Sequence, residues 1–114
     1  MSLRGSHEVK ENYQLFRLTG LLDAFSEPTF KKVVGKCLDQ SPHNVIMDLS
    51  KIEFVDSSGL GSLVQLVKKT KDAGGILVII TNPRVTQTVK LVRLEKFLVL
   101  VNTLEEALAK INQA

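Results

Sequence analysis

Val45-Ile46-Met47-Asp48-Leu49, followed shortly by Phe54-Val55-Asp56-Ser57-Ser58-Gly59-Leu60-Gly61, is the stretch from which the rest of the chain can be read. Its first part is a short apolar run, the pattern of a strand covered on both faces. Its second part sets a carboxylate and two hydroxyls just ahead of Leu60, Leu63, Val64 and Val67, which recur at helical spacing. Asp56 follows the apolar run by a predicted loop that itself carries apolar Ile52, Phe54 and Val55. A helix N-terminus has unpaired backbone N–H groups and the positive end of a dipole, so it accommodates an added anion. Ser57 or Ser58 is therefore a candidate for reversible phosphorylation. The same residues also fit a plain structural role, with Asp56, Ser57 or Ser58 as an N-cap and Gly59 as a loop glycine.

Upstream, Val9, Tyr13, Leu15 and Phe16-Arg17-Leu18 predict a pair of strands over residues 8–18, joined by a turn at Lys10-Glu11-Asn12. Gly20 is expected to break the second strand. Ser26 as N-cap and Pro28 in the first turn predict a helix over 26–40, with Phe30, Val33, Val34, Cys37 and Leu38 on its apolar face. Ser41-Pro42 ends it. Downstream, the helix opened by the Asp56 stretch is expected to stop at Gly74-Gly75, ahead of a buried strand Ile76–Ile80. Val85, Val89 and Val92 suggest a third helix after Asn82-Pro83, and Leu98–Val101 a further strand. Thr103 and Glu106 form a capping box for a last helix with Leu104, Ala107, Leu108 and Ile111 inward.

The predicted order is ββαβαβαβα. Strands alternating with helices imply a mostly parallel sheet with right-handed crossovers, made mixed by the antiparallel opening hairpin. Sites in such sheets gather where loops leave the carboxyl ends of strands. The Asp56–Gly61 and Gly20–Asp23 segments both leave such ends and are expected to be neighbours.

At 114 residues, with 44% hydrophobic and 24% charged side chains, the chain reads as one globular α/β domain able to bury its own core. That domain is expected over 8–114, with residues 1–7 a flexible or expression-derived lead of no functional weight. The longest apolar runs are too short to span a bilayer, no secretory leader is recognisable, and the single cysteine, Cys37, fits a reducing compartment, so a cytoplasmic location without membrane insertion is expected. The net charge of +3 is spread along the chain, and one tyrosine without tryptophan supplies no stacking platform; direct nucleic-acid binding is not expected.

No catalytic constellation is found in the sequence. The histidines are His7, in the lead, and His43, beside Pro42; neither is placed to serve Ser57 or Ser58 as a base. Asp-Ser-Ser-Gly is not the Gly-x-Ser-x-Gly elbow of hydrolases. Phosphate-loop and dinucleotide-binding glycine patterns are absent, and so is a His/Cys cluster for a metal, so neither a cofactor nor a metal is expected. Cys37 reads as a small core residue with no base beside it.

The ordered set Leu18-Thr19-Gly20-x-Leu22-Asp23, Val45-Ile46-Met47-Asp48-Leu49, Asp56-Ser57-Ser58-Gly59-Leu60-Gly61, Gly74-Gly75, Asn82-Pro83-x-Val85 and Leu94-x-x-Phe97 resembles the STAS domain of bacterial anti-sigma-factor antagonists. The resemblance covers residues 8–113. It implies a binding switch and no enzyme activity. The serine after the motif aspartate, here Ser57, would be phosphorylated by an anti-sigma-factor kinase, which the unphosphorylated protein binds, and a metal-dependent serine phosphatase would reset it. Asp56, Ser58 and Gly59 would surround the acceptor. Gly20, Leu21, Leu22 and Asp23 would join Leu60 and Gly61 in docking the kinase. Two residues depart from the family pattern. Leu21 stands where many phosphorylated members carry a polar or charged residue, which bears on which kinase docks. Arg93 stands where a glycine is expected before Leu94. An alternative within the same fold is a non-catalytic scaffold subunit of a lipid- or anion-transport assembly.

Overall fold

Sequential pairing of strands shapes the molecule. The computed structural model describes residues 2–113. In chain order its elements are β1 (Arg4–Val9), β2 (Gln14–Leu22), α1 (Glu27–Cys37), β3 (Val45–Val55), α2 (Ser57–Asp72), β4 (Leu77–Ile80), α3 (Pro83–Leu91), β5 (Val99–Val101) and α4 (Leu104–Gln113). The five strands lie in the order β1-β2-β3-β4-β5; β1 runs antiparallel to β2, and the other pairs are parallel. This is the mixed, mostly parallel sheet and the ββαβαβαβα order that the sequence predicts.

Right-handed crossovers that all step in one direction put their helices on one face of the sheet. Accordingly Phe30 and Val34 of α1, Leu60 and Leu63 of α2, and Val85 and Val89 of α3 share one core with Phe16, Met47 and Ile79. The alternate residues Leu15, Ile46 and Val78 point to the other face, where Ala107 and Ile111 of α4 cover them. Strict alternation across a pleated sheet is what lets two cores share three strands.

Helix ends are closed as the sequence suggests, with informative exceptions. After α2, the N–H of Gly75 bonds the Thr70 carbonyl at 3.0 Å and that of Gly74 the Lys71 carbonyl at 2.9 Å, with Gly74 at φ +91°. This is a Schellman closure. Thr103 Oγ1 accepts from the Glu106 N–H at 3.1 Å, opening α4. α3 ends against Arg93, which holds φ +60°, a left-handed conformation that glycine adopts far more readily. Ser26 is the N-cap residue of α1, yet its side chain makes no cap bond there.

Several boundaries differ from expectation, each for a physical reason. Arg4–His7, expected as a lead, form the start of β1, with His7 opposite Phe16. Gly20 does not break β2. At φ +99°, beside register shifts, it lets the strand bend and continue to Leu22. β3 likewise continues through the predicted loop, pairing Ile52 with Gly20, Phe54 with Leu21 and Val55 with Leu22. Each extension supplies backbone partners that the other lacks, and Ile52 and Val55 become core residues. α1 stops at Cys37, short of residue 40. The buried Nε2 of Gln14, on β2, lies within hydrogen-bond distance of the carbonyls of Cys37, Gln40 and Pro42, so its two hydrogens serve acceptors that the helix end leaves without partners.

Candidate functional site

The paired extensions of β2 and β3 bring the two predicted segments to one end of the sheet. The Asp56 N–H bonds the Leu22 carbonyl at 3.2 Å as the strands finish. Asp56 is extended, at φ −111° and ψ −177°, and its Oδ1 accepts from the Gly59 N–H at 2.9 Å. Of the three candidate caps, the structure therefore selects Asp56. Its second oxygen, Oδ2, accepts from the Ala24 N–H at 3.0 Å, tying the α2 N-terminus to the loop after β2.

With capping assigned to Asp56, Ser57 and Ser58 are left exposed in the first turn of α2. That turn holds no acidic side chain, while Lys69 and Lys71 lie in the last turn. The positive end of the helix is thus offset locally by Asp56 and is open to further anionic charge. Gly59 is not a loop glycine. It is helical and buried, and a Cβ there would run into the carbonyl and side chain of Leu22. Its absence lets α2 begin directly against the end of β2. The Ser62 hydroxyl, buried one turn on, donates to the Gly59 carbonyl at 2.8 Å.

The neighbouring loop is held by its own polar groups. Asp23 Oδ1 accepts from the N–H groups of Phe25 and Ser26, each at 3.0 Å. The Ser26 hydroxyl donates to the Leu21 carbonyl at 2.8 Å and accepts from the Asp23 N–H at 3.1 Å. The Ser26 N–H, followed by the Ser26 hydroxyl and the Phe25 N–H, holds the Asp23 carboxyl below its ordinary pKa against an opposing desolvation. Fixed in this way, the loop presents Phe25 to solvent with 95% of its surface exposed.

This geometry redraws the predicted docking surface. Leu22 and Leu60 are fully buried, and Gly20 is buried in β2, so these three build the platform beneath the accessible surface. Leu21, Asp23 and Gly61 are half-buried. The accessible surface beside Ser57 and Ser58 includes Ala24 and Phe25, which the sequence reading passed over. The signal was present: an aromatic residue in a short turn, outside any helical or strand periodicity, has no core to enter. Among the described residues, no three His, Cys, Asp or Glu side chains group to hold a metal ion, and no helix is long and apolar enough to cross a membrane.

A mostly parallel sheet with an N-terminal antiparallel edge, and a capped helix start exposed at its carboxyl end, defines a small α/β domain. Residues 6–107 match the STAS domain family model, and the chain belongs to that family. A protein of Thermotoga neapolitana, provisionally named an anti-sigma factor antagonist, is 29% identical over 84 residues, covering 72% of this chain and 74% of that protein. The crystal structure of an anti-sigma factor antagonist from Mycobacterium paratuberculosis is similar, with TM-score 0.83 and 27% identity over 97% of this chain and 95% of that one. The fold is also that of the Bacillus cell-fate determinant SpoIIAA. Its unphosphorylated form has TM-score 0.78 and 20% identity over 97% of this chain and 98% of that one. Its phosphorylated form has TM-score 0.69 and 20% identity over 95% and 99%.

Proposed function

We propose that this protein is an anti-sigma-factor antagonist, a binding protein that engages an anti-sigma-factor kinase while Ser57 is unmodified and is released when Ser57 is phosphorylated. The observation that carries the reading is the division of labour at the α2 N-terminus. Asp56 performs the capping, so the exposed Ser57 hydroxyl is spare for chemistry. The relatives named for this role, and the existence of SpoIIAA in phosphorylated and unphosphorylated forms, support it.

A phosphoserine adds about −1.5 to −2 charge at neutral pH. At the first position of α2 the dipole offsets it by about 0.3–1 kcal/mol, and the Asp56 carboxylate opposes it. The fold therefore tolerates the phosphate with little change in stability. In a docked interface, a misplaced like charge costs several kcal/mol, and about 1.4 kcal/mol is a tenfold change in affinity. Phosphorylation of Ser57 thus acts on binding and spares folding. A metal-dependent phosphatase acting on the same exposed residue would restore the binding form.

The test is affinity capture from native-host lysate with ADP or ATP, using wild type, Ser57→Ala, Ser57→Asp and Ser58→Asp. Wild type and Ser57→Ala are expected to retain a small histidine-kinase-like ATPase, and Ser57→Asp to lose it with an unchanged melting temperature. Loss confined to Ser58→Asp would move the acceptor by one residue. Capture of membrane-transport subunits by every form would replace this reading with the scaffold alternative.

A further inference from the structure

β1, β2 and α1 border a cavity of about 630 Å3, a volume within the range of small-molecule sites. Leu3, Phe16, Leu18, Phe30, Val33 and Val34 make its wall largely apolar, and His7 and Cys37 also line it. The Cys37 Sγ lies 3.8 Å from His7 Nδ1. The His7 ring stacks on Phe16 with centroids 4.4 Å apart and planes inclined by 14°.

The tautomer of His7 follows from Gln14. That side chain is 1% exposed, and its Nε2 faces the carbonyls of Cys37, Gln40 and Pro42 at 3.1, 2.9 and 2.9 Å. The amide cannot be reversed without setting its oxygen against three acceptors, so Oε1 is the atom 2.8 Å from His7 Nε2. An amide oxygen only accepts, so His7 Nε2 carries the hydrogen and Nδ1 offers its lone pair to the thiol. If the thiol proton moves to Nδ1, both ring N–H groups still have acceptors, Gln14 Oε1 and the sulfur. A nucleophile, an adjacent base and a group that orients the base are the elements of an activated thiol.

We propose that Cys37 is a covalent modification site for an apolar α,β-unsaturated carbonyl compound that enters this cavity, with His7 as its base. His7 Nδ1 takes the thiol proton and sulfur forms a bond to the β-carbon. The C=C π pair moves to the α-carbon, which then receives the proton from Nδ1. The step is a net addition that regenerates His7 and needs no oxidant and no leaving group. The apolar wall selects a ligand with a hydrocarbon tail.

The experiment compares pentyl vinyl ketone with methyl vinyl ketone, which carry the same reactive group and differ in the tail. Adducts on the full chain are followed by intact-protein mass spectrometry and located by peptide mapping, with rates normalised to those on N-acetylcysteine. The adduct is expected at Cys37, with the normalised rate for the pentyl compound at least about tenfold above that for the methyl compound, of the order that burying several methylenes provides. His7→Phe, which keeps a ring over Phe16 and removes the base, is expected to slow both compounds by about a hundredfold. Val33→Trp, at the exposed rim one helical turn from Cys37, is expected to slow the pentyl compound selectively, the retained methyl-compound rate showing that the thiol–imidazole pair still reacts; slowing of both compounds equally would count against selection by the apolar wall. Equal normalised rates for the two ketones in wild type would overturn the proposal. So would a folded His7→Phe that reacts at the wild-type rate; if that variant does not fold, the tail dependence and Val33→Trp decide.

Discussion

The Asp56 carboxylate accepts from the backbone N–H of Ala24 at 3.0 Å, joining the start of α2 to a loop far earlier in the chain. One side chain therefore serves as the cap of the helix that carries Ser57 and as the tether of the loop that presents Phe25. Local helix stability and the shape of the surface beside Ser57 are coupled through its two oxygens.

Asp56→Ala removes both bonds. Loss of an N-cap costs about 0.5–2 kcal/mol, and the untethered Ala24 N–H adds to it. Chemical denaturation is expected to show a loss within or slightly above that range, with Asp56→Asn milder because its remaining oxygen can still cap Gly59. Equal stability of wild type and Asp56→Ala would contradict the assigned cap.

Phe25 lies outside the core, so Phe25→Ala should shift stability by no more than about 0.5 kcal/mol. A rigidly presented aromatic at the centre of an interface typically costs about 2 kcal/mol or more when truncated. Calorimetry with the captured kinase is expected to show that loss of affinity at an unchanged melting temperature. An unaltered affinity would place the docking surface elsewhere.

Arg93 occupies a left-handed conformation at the end of α3. For an L-residue that conformation costs about 1–2 kcal/mol, and glycine avoids most of it. Part of the gain is returned through the greater freedom of glycine in the unfolded chain. Arg93→Gly is expected to raise stability by about 0.5–1 kcal/mol, read as a higher denaturation midpoint at unchanged slope. A lower midpoint would show that the Arg93 side chain contributes something the backbone geometry does not reveal.

The Asp23 carboxyl is held below the ordinary carboxylate range chiefly by the Ser26 N–H, and that of Glu8 chiefly by its hydrogen bond from Lys10. A carboxylate whose folded pKa is depressed contributes stability above its unfolded pKa and loses it as pH falls through the folded value. Stability is therefore expected to be level from neutral pH to about pH 5 and to decline below it. In Asp23→Asn the decline should be shallower. An acid limb of identical slope in that variant would remove Asp23 from the account.

Most of the fold could be read from the apolar pattern, because Val45–Leu49 and Ile76–Ile80 are continuous apolar runs buried on both faces, and the Leu60 helix buries the face that its period marks. The Asp56-Ser57-Ser58-Gly59 site was legible as a helix start for the same reason. The continuation of β2 through Gly20, and of β3 through Ser50 and Lys51, was not legible. Each segment alone resembles a loop, and only the parallel pairing of the two supplies the missing backbone bonds. The same non-local pairing buries Leu22, expected at the surface, in the core. Gln14 and His7 were missed because their roles depend on α1 ending where β2 can reach its carbonyls, a tertiary coincidence with no sequence period.

The spatial order of the five strands is the same as their order along the chain. A polypeptide leaving the ribosome can therefore lay down this sheet one edge at a time. No later strand has to be threaded between two that are already paired, and Ser57 lies beside the finished β2–β3 pair before β4 has been made. Ser57 is thus surrounded by its own platform early in the life of each new molecule.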